Sequence, residues 1–242
     1  MNYDLIKDKF STWAPLFKGF IETEEFDIII RTLKGLSKRG RTVCPFKEQT
    51  FRCFSETAYS NLKAVFFIDG PYSSVVNGKS MADGLSLSVS NTQTIPRGLH
   101  RLYRAIEQEY SSGFNVDMID EPDLGFLARQ GILLLNSALT AEQNKPGSHY
   151  DLWRPFMKYF FIEIINYYPS SLPIVFMGEN AKSYTQLVAP FNNISFELDD
   201  PELFPETESW QSNRFLNKVD IIIKDNHPEF EGIKWFNEIC TA

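Results

Sequence analysis

The chain has 242 residues, enough for one large core, and the expected organisation is a single domain over 1–242. Its net charge of −7 argues against non-specific, charge-driven binding to nucleic acid, while leaving room for a local basic patch. No apolar run reaches the length of a membrane span: the best candidate, Tyr159 to Gly178, is interrupted by Glu163, Asn166 and Pro169.

From Phe10 to Leu36 apolar residues recur at helical spacing, which predicts two helices with a break near Glu22-Thr23-Glu24-Glu25. Lys34, Lys38, Arg39 and Arg41 follow among two glycines, read either as a solvated loop or as a phosphate contact. Pro45 opens a short helical segment with Phe46, Phe51 and Phe54 facing the core. Ala64-Val65-Phe66-Phe67-Ile68 is then a continuous apolar run, the pattern of a strand buried on both faces. It stops at Asp69-Gly70-Pro71, residue types that break strands for different reasons. Ser73 to Asp83 reads as a loop. Gly84-Leu85-Ser86-Leu87-Ser88-Val89 alternates apolar and small polar residues, so a short strand or extended segment is expected.

Ile95-Pro96 opens a helix whose buried stripe is Leu99, Leu102, Tyr103, Ile106 and Tyr110. Pro122 to Gln130 is a short helix. A second buried strand, Gly131 to Leu135, ends at Asn136. Pro155 begins a long helix through Tyr168. A third strand, Ile174 to Met177, ends at Gly178, and Glu179 to Leu187 is helical. A fourth, Ile194 to Leu198, ends at Asp199-Asp200-Pro201 within an acidic stretch that runs from Glu197 to Glu208. Trp210 to Ile223 closes the set as a helix. Strand and helix alternate four times. The predicted fold is α/β, three layers (α/β/α) around a central, mostly parallel four-stranded sheet.

In such a sheet the strand ends share one edge, where ligands bind. Asp69-Gly70, Asn136, Gly178 and Asp199-Asp200 therefore converge without appeal to any motif. Asn136 carries a donor and an acceptor, which suits the edge of a nucleobase or a purely structural bond. Cys44, Cys53 and Cys240 are odd in number and lack metal spacing, so reduced thiols, no metal site and no cofactor are expected. Met1 to Phe10 mixes two lysines with two aspartates and lacks the apolar core of a signal peptide; the expected location is the cytoplasm.

The order and spacing of several motifs resemble the uracil-DNA glycosylases, from Trp13 almost to the end. Ala64 to Tyr72 resembles the strand and water-activating loop, whose family form is Gly-Gln-Asp-Pro-Tyr-His. Gly84 to Val89 resembles Gly-Leu-Cys-Phe-Ser-Val. Ile95-Pro96-Arg97-Gly98-Leu99 resembles the proline-rich loop that touches DNA. Gln130 to Asn136 followed by Leu139-Thr140 is nearly the family's own text. Ser148-His149 with Trp153, Gly178 with Ala181, and Gly232 to Trp235 complete the series. The departures fall on the chemistry. The family's catalytic aspartate falls on Gly70, with Asp69 one place earlier where the family has glutamine. The following histidine is Ser73. The aromatic that stacks on the flipped base is Leu87. The serine of the glycine-serine loop is Glu179. The His-Pro-Ser-Pro loop aligns with Asp200-Pro201-Glu202, and none of His100, His149 or His227 replaces its histidine. Tyr72 and Asn136 are kept; the resemblance implies that the tyrosine screens C5 of the base and the asparagine reads its edge.

The resemblance implies a DNA partner and base flipping, because the target atom is unreachable within the stack. Asp69 and Asp200 are the candidate acids. Gly70, Tyr72, Leu87 and Asn136 are the candidate base contacts. Arg97, Lys145, Ser148, Gly178 and Lys182 are the candidate DNA contacts, beside the basic cluster from Lys34 to Arg41. Three readings follow: a glycosylase for an altered, bulky base in a monomeric protein; a catalytically inactive binding module of the same fold; and an ordinary uracil glycosylase relying on Asp69. Loss of a stacking ring and of side-chain bulk at Gly70 and Ser73 favours the first, with glucosylated 5-hydroxymethylcytosine as an example. Bases of that kind occur in some phage genomes, which makes antiviral defence the expected role.

Overall fold

The computed structural model describes residues 3–92, 94–110, 121–189, 193–203, 210 and 214–236. In chain order its helices are α1 (Lys7–Phe10), α2 (Ala14–Ile21), α3 (Glu24–Lys38), α4 (Arg52–Glu56), α5 (Arg97–Tyr110), α6 (Gly125–Arg129), α7 (Tyr150–Tyr159), α8 (Glu179–Lys182) and α9 (Phe215–Asn226). Its strands are β1 (Val43–Cys44), β2 (Ala64–Ile68), β3 (Val75–Val76), β4 (Lys79–Ser80), β5 (Ile132–Asn136), β6 (Ala141–Glu142), β7 (Leu172–Met177) and β8 (Asn193–Leu198). The end of the acidic stretch that runs to Glu208, and Cys240, lie outside the described residues, as does part of the 210–223 segment expected to be helical; α9 is described from Phe215.

Strands β2, β5 and β7 are buried at every residue, so each needs apolar cover on both sides. Four strands form one all-parallel sheet in the order β5-β2-β7-β8. Adjacent residues of a strand face opposite sides. Phe66 packs on Phe215 of α9 and on Trp235, with ring centroids 6.1 and 6.2 Å apart. Phe67 faces the other way, onto Phe161 and Tyr184 at 4.9 and 5.3 Å. Helices therefore cover both faces, the expected three-layer α/β/α arrangement. A second aromatic cluster roots the N-terminal helices: Phe17 stacks on Phe156 at 4.7 Å, and the Trp13 indole donates to the Thr57 carbonyl at 2.7 Å.

The expected break between the first two long helices is there. Thr23 caps α3 by accepting from the Phe26 amide at 3.4 Å. The basic stretch expected to be a loop is helical as far as Lys38, since cations suit the negative end of a helix. The long helix expected from Pro155 starts at Tyr150, with Pro155 in its interior, and passes into a wide turn over Phe160–Ile164. The helix expected over 179–187 is two short pieces, α8 and a turn at Thr185–Leu187.

Two differences lie near the strand ends. The expected loop after Tyr72 contains the hairpin β3–β4, turned by Asn77 and Gly78 at φ +50° and +75°. Paired left-handed residues match the natural twist of a hairpin. Gly84 to Val89 forms no strand. Buried Asp83 gathers this segment instead, accepting from the Leu85 amide, the Ser88 hydroxyl, and the Ser90 amide and hydroxyl, while Arg52 neutralises it at 2.8 Å. Ser88 and Ser90 serve that carboxylate rather than a pleat. Leu87 is held at φ +63° as a result of the bend. Among the described residues no helix is long and apolar enough to cross a membrane, and no His/Cys/Asp/Glu group could hold a metal ion.

Candidate active site

The sheet register brings the strand ends into line. Ile68 sits opposite both Asn136 and Met177, and Met177 opposite Leu198. The residues that follow, Asp69, Ser137, Gly178 and Asp199, therefore leave the sheet along one edge. A cavity of about 260 Å³ lies over that edge. Both acid candidates, Asp69 and Asp200, line it, as do all four candidate base contacts, Gly70, Tyr72, Leu87 and Asn136. Tyr150 and Glu202, which the sequence did not single out, line it too. No lysine, arginine or histidine is among the described residues of its wall.

Asn136 is 6% exposed, and its side-chain amide has no hydrogen-bond partner among the described residues. A buried amide without a partner is costly unless something else satisfies it. Here that amide borders the cavity and is free to meet a ligand's donor or acceptor.

Asp69 is held by backbone. Its carboxylate accepts from the Ala181 amide at 2.7 Å and the Asn180 amide at 3.4 Å, at the start of α8. Gly178 makes this approach possible: at φ +98°, a Cβ there would lie 2.4 Å from Asp69 Cγ. Burial raises the Asp69 pKa, the two amides counter it, and the charges of Asp200 and Glu179 add to the rise. The position of the family's catalytic aspartate is crowded by Tyr150. The Gly70 amide donates to the Tyr150 hydroxyl at 3.1 Å, and a Cβ on Gly70 would be 3.0 Å from the Tyr150 ring.

The opposite wall is the segment after β8. Asp200 Oδ1 accepts from the Glu202 amide at 2.9 Å, and Oδ2 has no partner among the described residues. Arg101 holds this segment from below through the Asp200 and Leu203 carbonyls. The Tyr72 hydroxyl donates to Glu202 Oε1 at 2.9 Å, and the Gly98 amide donates to the same oxygen at 2.7 Å. Burial and the Glu202 charge push the Tyr72 pKa well up, so its phenol stays a neutral donor. Leu87 closes the floor beside Gly98, where an added Cβ would be 3.0 Å from Leu87 Cδ2.

The candidate DNA contacts lie outside the cavity wall. Arg97 donates to the Glu202 carbonyl at 2.9 Å. Lys145 pairs with Glu142 at 2.6 Å, and Arg41 pairs with the same carboxylate. The Ser148 hydroxyl accepts from the Glu142 amide. Lys182 bridges Asp199 at 2.7 Å and Glu179 at 3.1 Å. The Gly178 amide donates to the Leu198 carbonyl. Most of these cations are thus partly neutralised within the chain. His149 is buried, with Nδ1 2.8 Å from the Thr140 hydroxyl, and burial lowers its pKa. It is packing rather than cavity lining.

No protein-family model matches the chain. Curated relatives do. The uracil-DNA glycosylase of Streptococcus uberis is 26% identical over 226 residues, 93% of this chain and 98% of the relative. That of Buchnera aphidicola is 30% identical over 191 residues, 78% and 83% of the two chains. Among solved structures, the mimivirus uracil-DNA glycosylase superposes with a TM-score of 0.83 at 20% identity, over 97% of this chain and 89% of that one. The fold, the strand-end cavity and these similarities agree: the chain belongs to the uracil-DNA glycosylase family, a family of DNA-glycosylase enzymes.

Proposed function

We propose that this protein is a DNA glycosylase that extrudes a bulky modified base bearing hydrogen-bond donors, of the kind represented by glucosylated 5-hydroxymethylcytosine, and hydrolyses its N-glycosidic bond to leave an abasic site. The observation that carries this reading is the composition of the cavity wall. An unpartnered Asn136 amide faces a space bounded by Leu87 instead of a ring, by three carboxylates (Asp69, Asp200 and Glu202), and by no cation among its described residues. A base or substituent rich in amine or hydroxyl donors is what such a wall favours.

Cleavage of the C1′–N bond leaves the electron pair on the base and positive charge on the sugar. A carboxylate near C1′ stabilises that charge and takes a proton from the attacking water as the water oxygen bonds to C1′; that proton is passed on to the departing base, which balances the hydrolysis. Asp200 suits this role because Oδ2 is uncommitted. Asp69, with its oxygens engaged by amides, adds negative field and shapes the wall. Asn136 reads the base edge and Tyr72 borders the substituent. Arg97, Lys145, Ser148, Gly178 and Lys182 follow the flanking strand as phosphate contacts. Leu203, 49% exposed just beyond Glu202, supplies an apolar wedge for the gap left by the extruded base. Removal of a modified base from foreign DNA would serve defence against phage.

Two other readings have their own support. The names of the relatives favour excision of uracil. Tyr150 packed over Gly70 favours an inactive binding module. The test is base release from duplexes carrying uracil, cytosine, 5-hydroxymethylcytosine or its glucosylated form, with alkaline strand cleavage as readout. Release of the bulky base alone, abolished in Asp200→Ala, is the expected result. Release of uracil alone overturns the substrate assignment, and no release from any DNA by folded protein overturns the enzymatic one.

A further inference from the structure

Glu202 was not singled out by the sequence, yet it has an unusual set of partners. One oxygen, Oε1, accepts two hydrogen bonds, from the Tyr72 hydroxyl at 2.9 Å and the Gly98 amide at 2.7 Å. Its own carbonyl accepts from Arg97 at 2.9 Å, and its amide donates to Asp200. These bonds join elements far apart in the chain and leave the side chain little freedom. The second oxygen, Oε2, has no hydrogen-bond partner among the described residues, and Glu202 lines the cavity. Gly98 is part of the fit, since a Cβ there would stand 2.5 Å from Oε1. An oriented carboxylate with one oxygen anchored and one uncommitted is a preorganised acceptor.

We propose that Glu202 is a specificity-determining residue, whose free oxygen accepts a hydrogen bond from a hydroxyl or amine on the substituent of the extruded base, while Tyr72 and Gly98 hold it in place. The ligand class is thereby a base whose appendage is a neutral or cationic donor. An appendage carrying phosphate or carboxylate is repelled by Glu202 and Asp200 together. This rests on the reading of the cavity as a base site, and it goes beyond that reading in assigning which group selects the appendage.

The test pairs two bases that differ by methylation of one donor hydroxyl: 5-hydroxymethylcytosine and 5-methoxymethylcytosine, each in duplex DNA on a 2′-fluoroarabino sugar that resists cleavage. Affinity is measured by fluorescence anisotropy. The wild-type protein is expected to prefer the hydroxymethyl base by about tenfold or more, the usual effect of a hydrogen bond to a charged group. Glu202→Gln keeps an oxygen for Tyr72 and Gly98 but puts an amide nitrogen where the free acceptor was. It is expected to bring the ratio close to one with Tm unchanged. Glu202→Ala loses the ratio as well. A preference that survives intact in Glu202→Gln overturns the proposal, as does equal wild-type affinity for the two bases. Base release on the panel above is read separately. A donor preference without release of any base leaves Glu202 as assigned and removes the catalytic reading. Release of a bulky base without the donor preference does the reverse.

Discussion

Two walls of one cavity use carboxylates in opposite ways. At the end of β2, Asp69 is a tied group: both oxygens accept backbone amides at the start of α8, and the charge substitutes for a helix cap. Across the cavity, on the segment after β8, Asp200 and Glu202 each commit one oxygen to the fold and leave the other without a protein partner. Side-chain type and position at a strand end are alike on the two walls. What separates architecture from chemistry is whether the lone pairs are already filled.

That contrast can be broken experimentally. The largest effect is expected at Asn136, which also has unfilled hydrogen-bonding capacity. Asn136→Ala should lower excision by about 10²- to 10³-fold, the scale for removal of a positioned donor or acceptor in a water-poor site. Its denaturant midpoint should hardly move, because no protein bond is lost. Gly178→Ala should act on stability instead: a Cβ 2.4 Å from Asp69 Cγ, on a backbone at φ +98°, should cost ~3 kcal/mol or more in urea unfolding.

Asp69→Ala should cost about 1–2 kcal/mol, the range for a lost cap, and Asp69→Asn should expose its titration. The folded-state pKa of Asp69 is raised by burial. From about pH 4, where an unfolded aspartate releases its proton, up to the raised folded value, the native state binds more protons than the unfolded one. Stability from this group is therefore greatest in acid and falls as pH rises through that window. Asp69→Asn should flatten that slope. The smallest effects belong to the paired surface cations: Lys145→Ala should change stability by less than ~1 kcal/mol.

The sheet was legible because β2, β5 and β7 have no polar face to satisfy, so a fivefold apolar run admits few structures. The convergence of Asp69, Asn136 and Asp200 followed from topology alone. Three features were not legible, for distinct reasons. The alternation in Gly84 to Val89 mimics a pleat, but the Leu85 amide and the Ser88 hydroxyl answer to buried Asp83. The hairpin at Asn77-Gly78 had its signal in the sequence, a dipeptide suited to left-handed backbone, in a stretch read as loop. Tyr72 and Glu202 are 130 residues apart, and Gly70 and Tyr150 are 80 apart. No local pattern encodes such pairs.

The Gly70–Tyr150 contact constrains what change the site can accept. A side chain at position 70 requires the tyrosine ring, 3.0 Å from the new Cβ, to give way, and removing the ring strips the Gly70 amide of its acceptor. Removing the ring relieves the crowding at position 70 although the amide's acceptor is lost either way, so the two positions are coupled. In a laboratory selection for uracil excision, Gly70→Asp should emerge more readily in backgrounds where position 150 has already been made small. The route to the family's usual chemistry is thus a matter of the order of mutations, set by one ring lying over one glycine.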